Sequence, residues 1–90
     1  MAIVQVHELR GWTKEGYEQA MQMLNLPGPP PGSLIHMSGP MEGGWRIIEV
    51  WESEEAATSF YSSAPFQKMA KDAGIQPNVV ASWPMENVLK

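Results

Sequence analysis

The sequence predicts an α+β fold, a ferredoxin-like βαββαβ sandwich, on three observations. Strand-like and helix-like stretches follow one another in the order β-α-β-β-α-β, which right-handed crossovers fold into the split βαβ arrangement. Turn chemistry at Gly39-Pro40-Met41-Glu42-Gly43-Gly44 joins the second and third strands as a hairpin. The last strand carries Pro84, which cannot donate to a ladder and so belongs at a sheet edge. In this topology strands one and three are expected to be central and parallel, and strands two and four to be edges.

Each element has its own signal. Ile3 to Leu9 alternates loosely and reads as a strand, broken by Gly11-Trp12. Thr13 is the N-cap of a first helix, with Glu15 in the first turn where the helix dipole favours an anion. Tyr17, Ala20, Met21 and Leu24 fall at i, i+3, i+4 and i+7, one face of that helix. It must end before Pro27-Gly28-Pro29-Pro30-Pro31-Gly32, a stiff connection that suits neither helix nor central strand. Ser33 to Ser38 and Trp45 to Glu52 are the hairpin strands. Ser53 caps a second helix that begins with Glu54 and Glu55, and Pro65 is expected to interrupt it. A shorter helix restarts with Phe66, Met69, Ala70 and Ala73 on one face and ends at Gly74. Val79 to Val88 is the last strand.

Composition bounds the function. The 90 residues carry 6 basic and 10 acidic side chains, a net charge of -4, and no cysteine. Residues 1–90 are read as a single domain. The absence of cysteine excludes a disulfide scaffold, a Cys-based zinc finger and a thiol enzyme. The acidic balance argues against nucleic acid, which needs a basic face to displace counterions. No apolar run reaches the ~20 residues of a bilayer span, and no polybasic tail grips a membrane. The first residues show no export signal, so the expected place is the cytoplasm. In the third strand, Trp45, Ile47, Glu49 and Trp51 fall on one side and Arg46, Ile48, Val50 and Glu52 on the other. Both sides are largely apolar, and one layer of helices covers only one. The other is expected to meet a second copy of the chain in a symmetric homodimer.

The stretch Gly44-Trp45-Arg46-Ile47-Ile48-Glu49-Val50-Trp51-Glu52-Ser53-Glu54-Glu55-Ala56, followed by Phe60 and Phe66, resembles the third strand and second helix of antibiotic-biosynthesis-monooxygenase-like domains. The element order extends the likeness over essentially the whole chain. These are small dimeric α/β-barrel proteins. They include cofactor-free oxygenases of aromatic polyketides and haem-degrading enzymes. The haem-degrading branch uses a Trp in the second helix and a His ten positions later. Those positions hold Phe60 and Ala70 here, so haem cleavage by that mechanism is not expected. The resemblance implies a dimer, a pocket between sheet and helices, and oxygen chemistry without a cofactor.

The residues themselves favour acid–base chemistry. There are two histidines, His7 and His36, with no spacing that marks a metal site, so no metal is expected. No Gly-x-Ser-x-Gly elbow and no phosphate-binding glycine loop occur. Glu49 sits mid-strand between Ile48 and Val50, where low-dielectric surroundings are expected to raise its pKa. His36 lies on the neighbouring strand. A loop with an even residue count, such as Pro40 to Gly43, sets position 36 opposite 47 and brings His36 to the face of Trp45, Glu49 and Trp51. An odd count puts it beside Ile48. Glu49 has Arg46 as an alternative partner. His36 and Glu49 are thus the candidate catalytic pair. Trp51, Tyr17, Met21 and Phe60 are the candidates for lining a site that takes a small apolar or aromatic ligand. His7, near a strand end, is expected to face solvent. Two other functions fit the same residues: a non-catalytic dimeric ligand-binding or stress-related domain, and a cofactor-free isomerase or lyase.

Overall fold

The computed structural model describes residues 1–76 and 78–86. Strand β1 (Ile3–Arg10) leads into helix α1 (Lys14–Leu24), and strands β2 (Ser33–Met41) and β3 (Gly44–Trp51) form the hairpin. Helices α2 (Glu54–Tyr61) and α3 (Ala64–Ala73) precede strand β4 (Val79–Pro84). Among the described residues four strands form one sheet in the order β2-β3-β1-β4, with three helices, a ferredoxin-like α+β fold. Strand β4, with Pro84, is an edge as expected. The central strands are antiparallel, not parallel. The α1 crossover returns β2 in the direction of β1, and the tight hairpin then reverses β3, which inserts between them. Strand β4 ends at Pro84, short of the expected Val88: Met85 and Glu86 are not strand, and the expected residues 87 and 88 lie outside the described residues.

Caps fix the helix ends. The hydroxyls of Thr13, Ser53 and Ser63 accept from the backbone N–H of Gly16, Ala56 and Phe66. Asn25 closes α1 in the left-handed conformation, φ 50°. The second helical region breaks at Ser62-Ser63 rather than at Pro65. Pro65 instead sits in the first turn of α3, where its missing N–H would have had no partner anyway. Strand β2 also runs three residues past its expected end, through Pro40 to Met41. On an edge strand a proline is tolerated, so the loop shrinks to Glu42-Gly43. Gly43 takes φ 80° there, a conformation glycine adopts without strain.

The helices cover one face of the sheet. Leu9, Trp45, Tyr17, Ala20, Leu24, Phe66, Met69, Ala70 and Ile75 form the buried cluster between them. The opposite face carries Val4, Val6, Ile35, Met37, Ile48, Val50 and Trp83 by strand alternation. Met37 and Trp83 remain 53% and 48% exposed there. Among the described residues no helix is long and apolar enough to cross a membrane.

Candidate active site

The site is built around Glu49. Alternation along β3 points Trp45, Ile47, Glu49 and Trp51 at the helices, and Glu49 is only 2% exposed. The two-residue loop pairs Met41 with Gly44, which sets His36 directly opposite Glu49. This is the even-count case, shifted from the expected pairing with Ile47 by a whole side-chain period, so the face is unchanged.

The carboxylate is saturated with donors. Its Oε1 faces His7 Nε2 at 2.9 Å, accepts from the Tyr61 hydroxyl and lies 3.4 Å from Trp51 Nε1. Its Oε2 lies 3.3 Å from His36 Nδ1. The other ring nitrogen of His36, Nε2, is 2.6 Å from the Tyr17 hydroxyl. An ionised carboxylate only accepts, so the neutral His36 ring carries its proton on Nδ1 and Nε2 accepts from Tyr17. A line thus runs from α1 through β2 to β3: Tyr17, His36, Glu49. Arg46 is not the partner of Glu49; it bonds Glu8 at 3.0 Å on the other face.

The expected direction of the Glu49 pKa is reversed. Burial alone raises it, but hydrogen bonds from His36, His7 and Tyr61, with the charge of His7, outweigh burial and hold it at about 2. Glu49 is therefore an anion at neutral pH. Burial pushes the Tyr17 hydroxyl up, with the charge of Glu49 adding and a hydrogen bond with Ser38 opposing. Burial, the Glu49 charge and the bond to Glu49 push Tyr61 up as well. Both phenols stay protonated and act as donors.

A cavity of about 330 Å³ opens between the sheet and the helices. His7, Tyr17, His36, Glu49 and Tyr61 supply its polar end. Leu9, Met21, Leu24, Phe60, Phe66 and Met69 supply apolar wall, and the loop from Leu26 to Pro30 closes one side. Of the ligand-lining candidates, Tyr17, Met21 and Phe60 reach this cavity. Trp51 does not line it. It is 1% exposed, packed against Phe60 and Tyr61 with ring centroids 5.6 and 6.1 Å away, and it steadies Glu49 from behind.

Two site residues differ from the sequence reading. His7 is 3% exposed, not solvent-facing. It lies on central strand β1 with the parity of Leu9, and that shared parity was the available signal. A register shift against β4 falls beside it, between Val6 and His7, and such irregularities re-aim side chains near sites. Tyr61 has no spacing signal; it arrives at the end of α2 and meets Glu49 only in the fold. His7, His36 and Glu49 do converge, yet among the described residues no group of three or more such side chains could hold a metal ion.

Solved structures share this fold. SnoaB, a cofactor-independent oxygenase from Streptomyces nogalater solved as a mutant, superposes with TM-score 0.69 at 11% identity, covering 98% of this chain and 96% of its own. A candidate antibiotic biosynthesis monooxygenase from Chloroflexus aurantiacus gives 0.65 at 16% identity, covering 100% and 96%. Another from Deinococcus radiodurans gives 0.65 at 13%, covering 100% and 97%. The chain therefore has the fold of antibiotic-biosynthesis-monooxygenase structures. No family model matches the sequence, and no curated protein does.

Proposed function

We propose that the chain is a small monooxygenase-type enzyme that works as a homodimer without a bound cofactor. Its substrate is a small, largely apolar aromatic compound that bears a weakly acidic hydrogen. The observation that carries this reading is the Tyr17–His36–Glu49 line at the polar end of an otherwise apolar cavity.

The chemistry follows from the line. The side chain of His36 is 41% exposed, so substrate can approach it, while its Nδ1 is held by a buried anion. When the substrate surrenders its proton to His36, directly or through the Tyr17 hydroxyl, Glu49 stabilises the imidazolium. Tyr17 then donates to the substrate anion. Dioxygen is the oxidant and enters as a co-substrate. The carbanion adds to it, forming a C–O bond and a peroxide anion. The imidazolium protonates that anion, and the hydroperoxide loses water to leave a ketone. One CH₂ and one O₂ thus become one C=O and one water. The apolar walls exclude solvent from the reactive anion. SnoaB, a cofactor-independent oxygenase of the same fold, supports the reading.

The homodimer is supported by the uncovered sheet face, where Ile35, Met37 and Trp83 are each about half exposed. A patch this apolar on a small chain favours self-association.

The test is oxygen uptake with a panel of weakly acidic aromatic compounds. The wild type turns one of them over. His36→Ala and Glu49→Gln abolish turnover while circular dichroism shows both still folded. Ligand binding with no product from any candidate would instead establish a binding module, which the apolar walls also suit. Turnover in the absence of oxygen would establish the isomerase.

A further inference from the structure

We infer that the cavity selects uncharged ligands of about two fused rings with one weakly acidic group at one end, and rejects carboxylated ones. This deepens the acid–base reading of the same cavity and rests on it.

Size comes first. A protein cavity of roughly 150 Å³ takes a single benzene. The cavity here, about 330 Å³, has room for two such rings. Leu24, Leu26, Pro30 and Phe60 stand between it and a second hollow of about 410 Å³, since they wall both. A third ring would have to displace that partition or stay outside the cavity mouth, without apolar wall around it.

Charge comes next. The described lining holds one carboxylate, Glu49, and no lysine or arginine. The imidazoles of His7 and His36 are both already bonded to Glu49, at 2.9 and 3.3 Å. A ligand carboxylate would be buried beside the Glu49 charge with no lysine or arginine to pair with, which is unfavourable. The polar groups are also gathered in one place. His7, Tyr17, His36, Glu49 and Tyr61 form a single hydrogen-bonded cluster. Apart from these and Ser33, the lining side chains are apolar. A second polar substituent at the far end would lose its water and find few partners. One hydroxyl suffices: it enters uncharged and can hydrogen-bond the Tyr17 hydroxyl, which already bonds His36 Nε2 at 2.6 Å.

Equilibrium binding by calorimetry tests this near neutral pH with four probes: 2-naphthol, naphthalene, 2-naphthoate and 9-phenanthrol. The expected order has 2-naphthol tightest. Naphthalene should be about tenfold weaker for want of the hydrogen bond, and naphthoate weaker by at least about tenfold for its buried charge. The three-ring phenanthrol should bind at least about tenfold more weakly than naphthol. In His36→Gln the advantage of naphthol over naphthalene should vanish while naphthalene still binds. Naphthoate or phenanthrol binding as tightly as naphthol overturns the inference, as does no naphthol binding at all. Selectivity of the expected kind without turnover would count against the oxygenase reading alone. Turnover of a carboxylated or larger compound would count against the selectivity alone.

Discussion

Glu49 and His36 face each other across β3 and β2, a carboxylate oxygen 3.3 Å from Nδ1 of the imidazole. One partner is almost wholly buried and the other is reachable from the cavity mouth. That asymmetry divides the labour: Glu49 holds charge and orientation, and His36 moves the proton. Replacing Glu49 with Gln should therefore lower kcat by about 100-fold or more, while affinity for an uncharged ligand changes little. Steady-state kinetics beside calorimetric affinity checks the split.

The same carboxylate makes stability depend on acid. Its pKa falls from an ordinary 4.5 to about 2 on folding. A depressed carboxyl contributes stability that is fully present above the unfolded value and is lost as pH falls through the folded one. Its contribution, on the order of 3 kcal/mol, should disappear between about pH 4.5 and pH 2. Urea denaturation across that window should show the loss in the wild type and a flatter profile in Glu49→Gln.

Tyr61→Phe keeps the aromatic packing with His7, Phe60 and Phe66 but removes one donor from a buried anion. It should destabilise by about 1–3 kcal/mol, read as a lower urea midpoint at unchanged slope.

Met37 projects from the uncovered sheet face and is half exposed in the single chain. Met37→Glu should leave the fold of one chain intact and place like charges across the proposed dimer seam. Sedimentation should show a dimer for the wild type and a monomer for the variant, with the circular dichroism spectrum unchanged.

Most of the fold is legible in the sequence because its punctuation is local. Thr13, Ser53 and Gly74 mark helix ends through their own backbone preferences, and Pro84 marks an edge by lacking a donor. The β2–β3 loop is shorter than the sequence predicts because Pro40, a breaker in isolation, is tolerated on an edge strand that only the assembled sheet defines. The pair His36 and Glu49 was half legible: hairpin parity leaves two cases, and only the two-residue loop of the folded chain selects the one in which they share a face. The pKa of Glu49 was not. Burial is visible in a sequence, but beside His36 on β2 the compensating donors come from β1 and from α2, 42 residues before and 12 after. Trp51 shows the converse: its side of the strand was right, yet the cavity stops short of it because Phe60 and Tyr61 intervene.

The most direct test of the central claim, that Tyr17, His36 and Glu49 move a proton from a ligand in the cavity, is hydrogen–deuterium exchange at an acidic carbon. Uncharged 2-tetralone fits the proposed ligand class and exchanges its C1 hydrogens slowly in D₂O, an exchange that NMR follows without any need for oxygen. The wild type should accelerate it by about 100-fold over buffer, and His36→Ala and Glu49→Gln should return it to the buffer rate. Exchange at the buffer rate with wild-type protein and bound tetralone, or equal acceleration by both variants, would contradict the account.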